Sequence, residues 1–456
     1  MSNLDDIQGN ILAGFNTNFQ VFAGLTNNTE DAWQEIAFWL AARAPELTSV
    51  NQVREQRRPI RDMDRLQDIS WLSLALSYKV FSKTSPDVLF NDAAFRLGMV
   101  RRAGPLLGDR TPQTSWKIGG ENNPIDILLT IGANDRNTAE ERATELINSA
   151  KLAGLKQTYF ETAERNKDLE HFGFRDGISQ PTVKGFDLDG ELEMGNFVFG
   201  YPKVEGGTAE FAGTDPRQLT ANGSLLVIRR LNQDVQKFRS FCDQKALELQ
   251  LHLPGVTGEH VQALIVGRWP NGALVSFTQS ADPGAIPDDN VFDFSDDQDG
   301  KGCPFGGHIR KVNPRKGPKD VVDVPRLLRR GIPYGKPFEE EPQGEKGLMF
   351  VSYQTSIEDT FEFISAKWMN GVDRPGRQPG NDLLVGRSNL NRSLKLSCPL
   401  GEVNISDDKQ NWVIPTGGAY LFSPGKAGLS RIADRPQVSF SIGVKRLILD
   451  LKDSFF

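Results

Sequence analysis

An α+β fold of two domains, each an antiparallel sheet with helices on one face, is what the sequence predicts. Three observations carry that expectation. Short apolar stretches with strand period occur in both halves of the chain. Segments with helix period lie between them. A glycine-rich stretch over residues 185–223 separates the two sets. Two such sets read as a duplicated ferredoxin-like unit, with domains at 1–205 and 206–456.

In the first half, residues 30–43 place Trp33, Ile36, Ala37 and Leu40 at helical spacing. Over 70–80, Leu72, Leu74, Leu76 and Tyr78 fall on one face of a strand, with Ser73, Ala75 and Ser77 on the other. Ile125, Ile127, Leu129 and Ile131 repeat the alternation. Thr138 and Glu141 have the spacing of a capping box for a helix ending near Gly154, and a strand over 155–163 closes the set. In the second half, 224–231 and 347–354 read as strands, 232–250 and 357–370 as helices, and 437–450 as a last strand. The stretches 279–322, 371–381 and 400–418 read as loops. Acids in the first of these, such as Asp293, Asp296 and Asp299, lack the spacing of a calcium-binding loop.

A chain of 456 residues with 38% hydrophobic and 25% charged residues can bury two or three cores. Its net charge of −6 offers no basic field to nucleic acid or an anionic membrane. No run reaches the roughly 18 apolar residues of a membrane-spanning helix. Asp5, Asp6 and Gln8 stand where a secretory signal would carry basic and then apolar residues, so a cytoplasmic protein is expected. Cys242, Cys303 and Cys398 form no CxxC pair, which argues against a disulfide framework, a zinc ribbon and c-type haem attachment. Nucleotide-binding and hydrolase motifs such as GxGxxG, the P-loop, GxSxG and HExxH are missing from the sequence.

Chemistry concentrates in three places. The segment His171-Phe-Gly-Phe-Arg-Asp176-Gly-Ile-Ser-Gln-Pro181 holds one carboxylate between two glycines. An Asp-Gly pair by itself is commonly a turn. As a base, though, an aspartate with an ordinary pKa of about 3.9 still works where a histidine at about 6.5 is protonated. Of the four histidines, His252 and His260 are separated by Pro254 and Gly255, and His171 either orients the Asp176 loop or touches a cofactor edge. His308 follows Gly306-Gly307, where missing side chains let the backbone approach a flat ligand. Alone, such a histidine is more often structural. Arg329, four residues before Pro333 in Arg329-Arg330-Gly-Ile-Pro-Tyr-Gly335, supplies a permanent cation. Arg330 is its neighbour and rival.

Together with Ile7-Gln8-Gly9-Asn10-Ile11-Leu12, these segments resemble the dye-decolorising peroxidase family, in particular its longer members, over nearly the whole chain. The resemblance implies a haem b peroxidase, with iron protoporphyrin IX held mainly by the C-terminal half. It implies oxidation of dyes, phenols and other aromatic donors by hydrogen peroxide through a ferryl porphyrin-radical intermediate. His308 matches the proximal iron ligand, and Asp382, in Pro379-Gly-Asn-Asp382-Leu383, matches the acceptor for its other ring nitrogen. Asp176 sits in the family's GxxDG signature as acid–base, and Arg329 in its R-x-x-x-P-[FY]-G pattern as the group that stabilises charge on the parting oxygen.

Arg310 and Arg315 are then expected to pair with haem propionates. Leu348 and Phe350 resemble the apolar residues over the distal haem face, although core packing explains them equally. Bulky dyes cannot enter a buried pocket, and family members oxidise them through surface aromatic radicals. Tyr334, Tyr353, Trp368, Trp412 and Tyr420 are the candidates here. The expected partners are peroxide and the reductant, with no nucleic acid or membrane, in a monomer or homodimer. Two other readings stand beside this one: a haem-binding or iron-handling protein with incidental peroxidase activity, which would not need Asp176 and Arg329, and a cofactor-free interaction protein.

Overall fold

In the N-terminal half, strands β1 (Phe19–Asn27), β2 (Ser70–Leu76), β3 (Ile127–Ala133) and β4 (Leu155–Glu164) pair antiparallel in the order β4-β1-β3-β2. Helix Trp33–Arg43 follows β1 and helix Arg136–Leu152 follows β3, which gives the βαββαβ ferredoxin-like grammar. The structure is a computed structural model. It describes residues 3–29, 31–57, 69–167, 169–203, 214–275, 290, 292–315, 325–375, 378–387, 391–398, 401–407 and 409–454.

The C-terminal half repeats the permutation. Strands β5 (Ser224–Gln233), β6 (Leu328–Arg329), β7 (Ile332–Tyr334) and β8 (Gly347–Gln354) come first, followed by a two-stranded hairpin of β9 (Ser393–Cys398) and β10 (Gly401–Ser406), and then β11 (Val413–Ser423). Their order is β11-β5-β8-β6, with β7 also on β8, so β5, β6/β7, β8 and β11 take the places of β1 to β4. The expected duplication is present, but the two halves fuse into one nine-stranded sheet. They meet where Phe422 of β11 pairs with Leu76 of β2.

So narrow a seam needs support, and the N-terminal signature gives it. Gln8 is fully buried. Its amide donates to the carbonyls of Leu74 and Pro424 at 2.9 and 2.8 Å and accepts from Ser73 Oγ and the Leu74 N–H at 2.7 and 2.8 Å. One side chain thus stitches β2 to the end of β11. The sheet also curls on itself. Arg230 of β5 forms a salt bridge with Glu161 of β4 at 2.7 Å, and one core packs Phe22, Leu128 and Tyr159 against Ile228, Met349 and Val351. A second core lies under the helices of the N-terminal half.

Several expectations change. The strand over 70–80 stops at Leu76, and Tyr78 opens helix Tyr78–Thr84. The cap of helix Arg136–Leu152 is Asp135, which accepts the Thr138 N–H at 2.8 Å, in place of a Thr138/Glu141 box. The last strand is β11, which begins inside the stretch 400–418 read as a loop, a stretch that also holds β10, and 437–450 is mostly helix Phe440–Asp453, capped by Ser439. Pro415, Gly417 and Gly418 disguise β11. The strand bulges between Pro415 and Gly418, and a Cβ at Gly417 would lie 2.2 Å from the Ile118 carbonyl oxygen. β1 escaped notice because its sequence, Phe-Gln-Val-Phe-Ala-Gly-Leu-Thr-Asn, does not alternate. Part of 279–322 lies outside the described residues. Among the described residues no helix is long and apolar enough to cross a membrane.

Replacing Gln8 with Ala strands several buried polar groups at the seam. The expected loss is roughly 3 kcal/mol of unfolding free energy, measured by chemical denaturation. An unchanged transition midpoint would contradict this role for the residue.

Candidate active site

Pairing register puts Arg229 opposite Phe350 and Leu231 opposite Leu348, so these four side chains share one face of the C-terminal sheet. That face lines a cavity of about 540 Å³. Its other sides are the 170–182 loop, helix His308–Val312 and a π-helical stretch, Ile357–Glu362 and Ile364–Met369, which contributes Phe361, Ile364, Ser365 and Met369. The volume suits a small organic cofactor.

His308 opens its short helix and lines the cavity. Its Nδ1 lies 2.7 Å from Asp382 Oδ2, leaving Nε2 as the ring nitrogen available to the cavity. Asp382 is fully buried, and its Oδ1 accepts the N–H groups of Leu384 and Val385 at 2.9 and 3.1 Å. Burial alone would raise its pKa. The His308 ring and the backbone donors outweigh burial and hold the carboxyl below its ordinary value. Lys311, on the same helix, is also buried and donates to the carbonyls of Gly371, Arg374 and Gly380, fixing the loop that leads to Asp382. Desolvation lowers its pKa to about 8. The glycines before His308 serve this packing. A Cβ at Gly306 would lie 2.5 Å from both the Pro379 carbonyl oxygen and Leu394 Cδ1. The close approach they allow here is to the chain itself.

Asp176 and Arg329 line the same cavity. Asp176 Oδ1 accepts the N–H of Gly177 at 2.7 Å, and its second oxygen has no partner among the described residues. Gly177 has φ +81°, where a side chain would be strained. Arg329 is tied to the same loop: its Nη2 donates to the Ser179 carbonyl at 2.9 Å and its backbone N–H to Gln180 Oε1 at 3.1 Å. The remaining guanidinium N–H groups are left for the cavity. Arg330 points elsewhere. It donates to the carbonyls of Asn10, Ile11 and Leu12, and burial lowers its pKa to about 10. The adjacent arginines therefore divide, one to the cavity and one to the N-terminal segment.

Leu348, Phe350 and Arg315 also line the cavity. Arg315 donates to the Asn290 carbonyl and Oδ1 at 2.7 and 2.6 Å and stacks over Phe292 at 4.2 Å. Arg310 stands apart from the cavity lining. It pairs with Asp297 at 2.8 Å and the Cys303 carbonyl at 2.6 Å, between the rings of Phe294 and Phe305, so its role is to hold the loop before His308. His171 supports the loop through its Nε2, 2.7 Å from the Tyr334 carbonyl. The aromatic residues expected at the surface are core residues: Tyr334, Tyr353, Trp368, Trp412 and Tyr420 are each at most 3% exposed.

Sequence reasoning missed several cavity groups. Arg229 pairs with Asp109 on the cavity wall. Charge directly after the apolar run Leu225-Leu-Val-Ile228 was the available signal. Arg326 has no hydrogen-bond partner among the described residues, and burial together with neighbouring Arg315 lowers its pKa to about 10. Glu170 was hidden by its place just ahead of the more conspicuous motif. It is partly open to the cavity and otherwise enclosed, and burial, with a further push from Asp176, raises it to about 7.

On this α+β scaffold an acid, an arginine and a carboxylate-held imidazole meet at one cavity. The family models described as the DyP dimeric alpha+beta barrel domain and the Dyp-type peroxidase C-terminal domain match residues 6–165 and 168–376. The dye-decolorizing peroxidase msp1 of Mycetinis scorodonius is 28% identical over 94% of this chain and 87% of its own length. A solved ancestral D-type dye-decolorizing peroxidase aligns with a TM-score of 0.82 at 27% identity, over 95% of this chain and all of its own. A dye-decolorizing peroxidase solved in complex with 2,6-dimethoxyphenol aligns at 0.80 and 26% identity, again over 95% and 100%. The chain belongs to the dye-decolorising peroxidase family and is a peroxidase.

A raised folded-state pKa means that ionising Glu170 opposes folding. Its favourable, protonated state is fully present below the unfolded value of about 4.5 and is lost as pH rises through about 7. Wild-type stability is expected to fall by roughly 2–3 kcal/mol across that window relative to Glu170→Gln, allowing for partial exposure. Denaturation of both proteins at several pH values checks it, and parallel pH profiles would rule it out.

Proposed function

We propose that the cavity holds haem b and that the protein uses hydrogen peroxide to oxidise phenols, dyes and related donors. The convergence of His308, Asp176 and Arg329 on one cavity carries this reading. The donor set fits the group. A neutral imidazole with Nδ1 fixed by a carboxylate offers Nε2 to an iron. Leu348, Phe350, Leu384 and Val385 supply apolar surface for a macrocycle. Arg326 and Arg315 repel each other in a site where an anionic carboxylate would relieve both.

Haem bound here would supply the iron at which peroxide is reduced and the oxidising equivalents passed to the reductant. Asp176 takes a proton from hydrogen peroxide at its unpartnered oxygen and returns it to the oxygen that leaves as water. Arg329 directs its free N–H groups at the negative charge that develops as the O–O bond parts. Asp382 keeps His308 in the tautomer with a bare Nε2. The balance is one peroxide and two protons reduced to two waters by one electron from each of two donor molecules. The phenol complex of the structural relative supports an aromatic donor class. The haem-handling alternative leaves Asp176 and Arg329 on the cavity without a task, so the peroxidase reading is favoured.

Asp176→Asn and Arg329→Leu are expected to keep a haem Soret band while the rate with peroxide falls about 10²–10³-fold in stopped-flow. Wild-type rates in both variants would sink the mechanism. Asp382→Asn is expected to weaken haem affinity by about 10–100-fold, read by titrating apoprotein with haem. Undiminished affinity would remove Asp382 from its role.

A further inference from the structure

Glu170 stands at the base of the loop that carries Asp176. Its Oε1 accepts the Phe174 N–H at 2.9 Å and its Oε2 the Phe172 N–H at 3.0 Å, so one carboxylate closes the turn from inside. The backbone doubles the closure. The Glu170 N–H donates to the Phe174 carbonyl and the Gly173 N–H to the Glu170 carbonyl, both at 2.9 Å, with Gly173 at φ +101°. Phe172 and Phe174 anchor the turn in the core, the Phe172 ring 4.5 Å from that of Phe238.

A third donor ties this turn to the sheet. Gln233 Nε2 reaches Glu170 Oε2 at 2.6 Å. Gln233 ends β5, the strand whose Arg229 and Leu231 line the cavity, and its own backbone N–H is held by the Lys346 carbonyl at 2.8 Å. Only a carboxylate can accept from all three donors. The isosteric amide would turn an N–H₂ towards at least one of them.

The charge is costly where it sits. No cation among the described residues pairs with Glu170, and Asp176 adds like charge to the effect of burial. A neutral side chain would spare the enclosure that penalty, so the carboxylate is kept for what it holds in place. We propose that Glu170 is a positioning residue for Asp176, its carboxylate holding the loop so that the free Asp176 oxygen is presented to the cavity. The inference rests on the acid–base reading of Asp176.

The test is stopped-flow of holoprotein with hydrogen peroxide, together with amide exchange over residues 170–177, both run above pH 7 where Glu170 is ionised. Glu170→Gln is expected to lower the second-order rate constant with peroxide by about 10²-fold. The Phe172 and Phe174 amides should exchange faster, while haem content, Soret position and KM for the reductant stay put. A peroxide rate within a factor of about two of wild type would overturn the proposal. So would an equal loss of haem content and of the peroxide and reductant steps, which marks a general structural fault. Should Glu170→Gln fail to fold, Gln233→Leu removes only the tie to β5. It is expected to slow the peroxide step by roughly 3–10-fold, and an unchanged rate overturns the proposal equally. Asp176→Asn serves as reference. If that variant reacts at the wild-type rate, the acid–base reading itself has failed. If it is slow and Glu170→Gln is fast, only the positioning role has.

Discussion

An imidazole presents a defined nitrogen to a cavity only when its other nitrogen is held, and the Asp382–His308 bond is the constraint on which the site depends. A carboxylate with no access to water is tolerable because the ring and two backbone N–H groups face it. Those donors exist only if the loop before Asp382 is pressed against the His308 helix. Lys311 and the side-chain-free Gly306 achieve that, one by three hydrogen bonds and the other by leaving room. Lys311 therefore supports the His308–Asp382 pair through the backbone it holds.

The facing groups depend on a different part of the fold. Arg329 lies on β6, at the edge of the C-terminal sheet, and reaches across to the Ser179 carbonyl of the loop bearing Asp176. Arg330 turns the opposite way and ties that edge to the N-terminal Asn10–Leu12 segment. Gln8, two residues earlier, joins the two sheet halves. The first dozen residues and the Arg329–Arg330 edge thus belong to one mechanical system.

How much of this was legible in the sequence follows from what periodicity can report. Apolar residues alternate along β2 and β3, which were read from that alternation although both strands are buried on both faces. β1 has no alternation in its sequence and β11 carries Pro415, Gly417 and Gly418, so neither announces itself. The terminal helix Phe440–Asp453 mixes Val, Ile and Leu on two faces, a pattern that strand and helix templates both accept. At the site, motif spacing singled out Asp176, His308 and Arg329, which line one cavity, and Asp382, which bonds His308. It misplaced Arg310, because a cation near a ligand candidate looks the same whether it faces the ligand or Asp297. It passed over Glu170 and Arg326, whose importance lies in three-dimensional surroundings. It also took buried aromatics for surface ones, since composition says nothing of depth.

A crystal structure of the haem-loaded protein tests the central claim most directly. The account predicts iron bonded to His308 Nε2, Asp382 still on Nδ1, and the side chains of Asp176 and Arg329 together on the opposite face of the macrocycle. Another residue beneath the iron, or Asp176 and Arg329 out of contact with the pocket above it, would contradict the account.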